Sequence, residues 1–116
     1  MTNILEKIIQ EKKETLEIVK KNNSLNSLED KIKTINTFLN FKDAIINNKG
    51  ISLISEIKKA SPSAGVLVKD FNHLDIAKIY IDNGAICLSV LTEEKYFLGK
   101  LDYIEDIKGK FKIPVL

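Results

Sequence analysis

The sequence predicts an α/β chain, with a helical lead-in followed by strands and helices alternating around a parallel sheet. Three observations predict it. Short apolar runs occupy residues 51–57, 85–91 and 112–116. Amphipathic stretches of helical period fill the intervals, near 73–83 and 101–108. The strand-to-strand spacing, about 34 and then about 26 residues, fits right-handed crossover units, because parallel neighbours need a helix-sized connection. Pattern alone does not separate a doubly wound sheet from a barrel.

Length and charge bound the reading. At 116 residues the chain is one small domain or part of a larger one. Hydrophobic residues make up 44% and charged ones 29%, as in a globular, water-facing chain. A net charge of +2 is too small to argue for nucleic acid or an anionic membrane, so neither is expected as a partner. No apolar run approaches the ~20 residues of a membrane span. Glu6, Glu11 and Lys12 interrupt any signal-peptide core. The single Cys87 has no partner for an internal disulfide, so a cytoplasmic location is expected. No cofactor and no metal are expected.

The lead-in starts with an amphipathic helix over residues 3–20. Asn3 and Glu6 have capping-box spacing, and Ile4, Leu5, Ile8, Ile9, Leu16 and Val19 recur at helical period. Alternating acids and bases, Glu11 to Glu14, mark a solvated face rather than a membrane-surface helix. A short helix can start near Ser27. A clearer one runs from Asn40 to about Asn47, with Asn40 as cap, Asp43 in the first turn, and Phe41, Ala44 and Ile45 as its stripe.

The stretch ISLISEIKKASPSAG, residues 51–65, carries the chemistry. It reads as a strand to Ile57 and a loop from Ser61 to Gly65. Strand side chains alternate, so Ile54, Glu56 and Lys58 share one face while Leu53, Ser55 and Ile57 share the other. Without further context, Glu56 and Lys58 are a solvated pair at a strand exit, and Pro62 and Gly65 are turn punctuation.

Next comes a helix from about His73 to Asn83. Asn72 is its cap, Leu74, Ile76, Ala77, Tyr80 and Ile81 its buried face, and Gly84 its end. His73, the only histidine, sits at a helix start, belongs to no motif that pairs it with an acid or a cysteine, and is read as a surface residue. The run AICLSVL, 85–91, reads as a strand buried on both faces, with Cys87 a small core residue. TEEKYFLG, 92–99, is a polar, aromatic loop in which Glu93, Glu94 and Lys95 are assigned no role, since helix capping or loop order suffices for them. The last helix is expected from Leu101 to Lys108, with Leu101, Ile104 and Ile107 inward and Gly109 as its stop. Lys112 to Leu116 begins a third strand, at whose start Pro114 is tolerated.

Leu53 to Ser63 resembles the signature of indole-3-glycerol phosphate synthase: apolar, apolar, any, Glu, apolar, Lys, basic, variable, Ser-Pro-Ser. The run at 92–99 is similar to one that follows the second strand in that family. The resemblance implies a (β/α)8 barrel of ~250 residues, with chemistry at the carboxyl ends of the strands. Residues 1–48 would be the family's helical extension. Residues 49–116 would be the first part of the barrel, truncated at strand 3. The implied reaction is ring closure, decarboxylation and dehydration of 1-(2-carboxyphenylamino)-1-deoxyribulose 5-phosphate, a carboxy-lyase step of tryptophan biosynthesis.

In that reading Lys58 polarises the reacting centre and Glu56 orients it. Ser61 and Ser63 bind polar or anionic parts of the substrate, and Phe97 meets its aromatic ring. The family's main acid, a lysine, would fall just beyond Leu116, with the base and the phosphate loops later still. The 116 residues alone are therefore expected to be inactive, poorly soluble and in need of the rest of the barrel. Two alternatives stay open: another phosphate-sugar barrel enzyme, and a non-catalytic half-barrel that associates with a partner chain.

Overall fold

Side-chain caps set where the first helices begin. The computed structural model describes residues 3–116. Helix α1 spans Ile4–Asn22. Its Asn3 Oδ1 accepts from the Glu6 N–H at 2.9 Å, and the Glu6 carboxylate accepts from the Asn3 N–H at 3.2 Å, a capping box. Helix α2 spans Leu25–Lys33, because Ser24, not a residue nearer Ser27, supplies the cap; its hydroxyl accepts from the Ser27 N–H at 3.1 Å. Neither helix buries a residue. Both lie in a unit that ends at Phe38, and a second unit runs Leu39–Leu116.

Helix α3, Phe41–Ile46, lies in the second unit and is capped by Asn40, whose Oδ1 accepts from the Asp43 N–H at 3.0 Å. The Ser52 hydroxyl donates to the Ile45 carbonyl at 3.1 Å, tying α3 to the chain that enters the sheet.

The remaining elements are β1 (Leu53–Ile57), β2 (Ala60–Ser61), β3 (Gly65–Val66), α4 (His73–Asp82), β4 (Ala85–Val90) and α5 (Asp102–Lys110). Strands β1 and β4 pair in parallel, ending with Ile57 opposite Val90. The final segment joins the other side of β4 through a parallel bridge between Leu88 and Val115. There the Leu88 N–H donates to the Pro114 carbonyl at 3.0 Å and the Val90 N–H to the Leu116 carbonyl at 2.9 Å. Pro114 has no donor, but the ladder here uses its acceptor. Strand β4 is thus central, which is why its sequence is almost continuously apolar. The second unit is a partial α/β fold with parallel strands, and the described residues do not close a barrel.

Helices α4 and α5 cover one side of this sheet. Ile57, Ala77, Ala85, Leu88, Val90, Ile107 and Ile113 form the buried core, with Phe71, Tyr80 and Tyr103 among those packed against it. Ile57, Leu88 and Ile107 are fully buried, and each such side chain contributes about 1.5–3 kcal/mol. The Tyr80 hydroxyl donates to the Glu56 carbonyl at 3.0 Å, pinning α4 to β1.

Four local expectations are corrected. Ser61 to Gly65 is not an open loop: Ala60 pairs with Val66 and Ser61 with Gly65 in an antiparallel hairpin, turned by Gly65 at φ 68°. Gly109 does not stop α5, which continues to Lys110 and is closed by the Phe111 N–H on the Ile107 carbonyl. Leu101 is exposed, because the helix begins only after it. His73 is not a bare surface residue. Its Nε2 lies 2.7 Å from Asp106 Oδ2, and its ring stacks on Tyr103 at 4.3 Å.

Cys87 is buried completely, and burial pushes its thiol above the ordinary range. Folding therefore favours the protonated thiol. That contribution to stability is complete below the ordinary thiol pKa and is lost as pH rises toward the raised one. A maleimide is expected to label Cys87 far more slowly in the native chain than in urea, at neutral and at mildly alkaline pH; equal rates would contradict the burial.

Candidate active site

The period of β1 decides which side chains meet. Ser55 and Ile57 turn into the core, so Ile54 and Glu56 turn the other way, and Lys58 follows them one step past the strand. Lys58 Nζ reaches Glu56 Oε1 at 2.7 Å. The alternation fails only at Leu53, which is exposed because the register slips between Leu53 and Ile54.

The lysine side chain keeps 31% of its exposure and the glutamate 48%, so water screens the pair. Such pairs add only ~0.2–1 kcal/mol to stability. The effect is geometric: Glu56 fixes the direction of a flexible ammonium. An ammonium has three donors, and this contact occupies one. The others are available to a carbonyl or carboxylate arriving from solvent.

Downstream, the hairpin brings Ser61 and Ser63 together, with their hydroxyls 3.4 Å apart. Ser61 also accepts from the Ala64 N–H at 3.2 Å, so it orders the turn. Ser63 is exposed.

Because β1 and β4 run parallel and end together, the segments after Ile57 and after Val90 leave the same edge. In α/β sheets that edge is where ligands bind. Phe97 sits on the second of these segments, half-buried, with its N–H donating to Glu93 Oε2 at 3.1 Å.

A groove of about 460 Å³ lies between Lys59 and the stretch Leu98–Asp102, with Glu94 at its side. Its two lysines are balanced by two acids, and none of Glu56, Lys58, Ser61, Ser63 or Phe97 lines it. Among the described residues, no three His, Cys, Asp or Glu side chains converge to hold a metal, and no helix is long and apolar enough to cross a membrane.

Comparison with known proteins gives this geometry its context. The family model for indole-3-glycerol phosphate synthase matches residues 5–116, nearly the whole chain. The chain belongs to that family. A relative from Desulforamulus reducens, named indole-3-glycerol phosphate synthase, is 44% identical over 113 residues, 97% of this chain and 43% of the relative. One of the same name from Legionella pneumophila strain Lens is 45% identical over 116 residues, all of this chain and 44% of the relative. A third, from Chlorobium chlorochromatii, reaches 54% over 69 residues, 60% of this chain and 27% of the relative. The chain thus spans less than half the length of these curated members of the family.

Two contacts go beyond what the sequence specifies, which offers capping or loop order for Glu93 without naming its partners and a surface position for His73. One is the carboxylate of Glu93, which gathers backbone N–H groups of its own loop. The signal for it is weak: an acid just past a strand end, followed by residues free to turn back on it. The other is the pairing of His73 with Asp106, 33 positions away, for which no local signal exists.

Proposed function

We propose that this chain supplies the N-terminal part of an indole-3-glycerol phosphate synthase, a (β/α)8-barrel carboxy-lyase of tryptophan biosynthesis acting in the cytoplasm. Its substrate is 1-(2-carboxyphenylamino)-1-deoxyribulose 5-phosphate. The observation that carries the proposal is the Glu56–Lys58 pair, 2.7 Å apart at the carboxyl end of β1. The family match, together with the half-exposed Ile54 beside that pair, supports a face that further strands of a barrel cover.

The reaction forms a carbon–carbon bond between the ring carbon that bears the carboxylate and the sugar's carbonyl carbon. Carbon dioxide then leaves, followed by water. Negative charge builds on the carbonyl oxygen as the bond forms. Lys58 lies at the strand end where that oxygen docks, and a prepositioned ammonium stabilises the growing charge. Glu56 keeps the ammonium pointed there before the substrate arrives. Ser61 and Ser63 offer hydroxyls to the substrate's polar groups. Phe97 offers an apolar ring to the anthranilate. The 116 residues hold only part of this machinery and turn nothing over alone.

A chimera tests the proposal. This chain replaces the matching part of the Desulforamulus reducens relative, and the purified protein is assayed for indole-3-glycerol phosphate. Product is expected. A folded chimera that makes none, beside an active parent, would overturn the reading.

A further inference from the structure

We propose that Glu93 is a positioning residue, whose carboxylate folds the segment after β4 and holds Phe97 in place. This rests on the reading of Phe97 as a substrate contact. Glu93 Oε1 accepts from the Lys95 N–H at 3.1 Å. Its Oε2 accepts from the N–H groups of Tyr96 at 2.6 Å and Phe97 at 3.1 Å. Its own carbonyl accepts from the Gly99 N–H at 2.8 Å. One residue therefore grips the segment at its middle and at its end.

Three successive N–H groups turned toward one point form an anion-binding nest. Here the chain's own carboxylate fills it. The turn so formed carries Leu98 at φ 53°, a left-handed conformation that a side-chain-bearing residue adopts only when its surroundings hold it there. Leu98 lies between Phe97 and Gly99, so the grip on both neighbours fixes the strained residue and the direction of the Phe97 ring's backbone. A neutral amide cannot substitute. Glutamine has one acceptor oxygen, and its NH2 would face an N–H donor.

Two measurements test this. In the 116-residue chain, Glu93→Gln is expected to speed amide exchange at Lys95, Tyr96 and Phe97 by roughly tenfold or more, since these bonds end on a charge. The Leu88 amide, bonded to Pro114 in the core, should keep its rate. The neighbouring Glu94→Gln removes the same charge and should change none of the four. Unaltered exchange at residues 95–97 in Glu93→Gln would overturn the proposal. Should that variant unfold, with Leu88 exchanging as fast, Glu93→Asp decides. Its shorter carboxylate must loosen the three amides ahead of Leu88, and uniform loosening would again overturn it.

In the chimera, Glu93→Gln is expected to raise KM severalfold more than it lowers kcat. Added to Phe97→Ala it should cost nothing further, because both act through one ring. Additive losses would refute a role through Phe97. An inactive chimera with normal exchange behaviour rejects the synthase reading and, with it, the positioning role, but leaves the nest itself standing.

Discussion

Lys58→Met in the chimera is expected to lower kcat/KM by roughly a hundred- to a thousandfold, the usual cost of removing one preorganised donor from a site of developing charge. Methionine keeps the length and apolar stem and deletes only the ammonium. The fold should survive, because the Glu56–Lys58 pair is partly solvated and such pairs add at most about 1 kcal/mol. Circular dichroism and urea midpoints should therefore match the parent while turnover collapses. Glu56→Gln should cost less, on the order of tenfold, because the amide still accepts a hydrogen bond from the ammonium and loses only the charge. A Lys58→Met chimera with near-parental turnover would remove Lys58 from the chemistry, and equal losses from both substitutions would make Glu56 more than an orienting group.

Gly99→Ala is expected to be the most damaging single methyl in the second unit. Gly99 is buried, and a Cβ there would stand 2.1 Å from the Leu91 carbonyl oxygen, 2.8 Å from its carbon and 2.9 Å from the Thr92 carbonyl carbon. All three are backbone atoms, so no rotamer change relieves the clash. The segment must shift, and the Gly99 N–H must release the Glu93 carbonyl. Forced overpacking of this kind costs about 1–3 kcal/mol, and a collision with main chain belongs at the top of that range. Urea unfolding should show the fall in midpoint.

Gly109→Ala is the contrast: it lies within α5 with nothing within 4 Å of its added Cβ. There alanine should stabilise by about 0.5–1 kcal/mol, because glycine is the poorer helix former. Equal effects at the two glycines would show that the close approach at Leu91 is not real.

What the sequence disclosed follows the range of the forces involved. Caps were legible because they are settled within three residues: Asn3, Asn40 and Asn72 each bond to an N–H just ahead. The meeting of Glu56 with Lys58 was legible because a strand's period is two, although the register slip hid the fate of Leu53. Gly109 misled because a glycine stop needs a left-handed residue just past the last turn, and here α5 runs through it in ordinary helical geometry. The hairpin at Ser61 to Gly65 was hidden because two-residue strands carry no period. His73 was misjudged because its partner and the ring beneath it arrive with α5, and only the packing of α4 on α5 joins them. For Phe97, sequence supplied the residue and structure supplied the tether on its N–H.

The placement of β4 between β1 and the last segment also bears on how the chain is born. Strand β1 emerges from the ribosome ahead of β4, the partner that takes up its carbonyls, by the time needed to make the chain between them. Synthesis of the stretch from Lys58 to Val90 takes about two to seven seconds at ordinary elongation rates. Throughout that interval the nascent polypeptide holds an apolar ribbon with one unsatisfied margin, open to pairing with any other strand it meets.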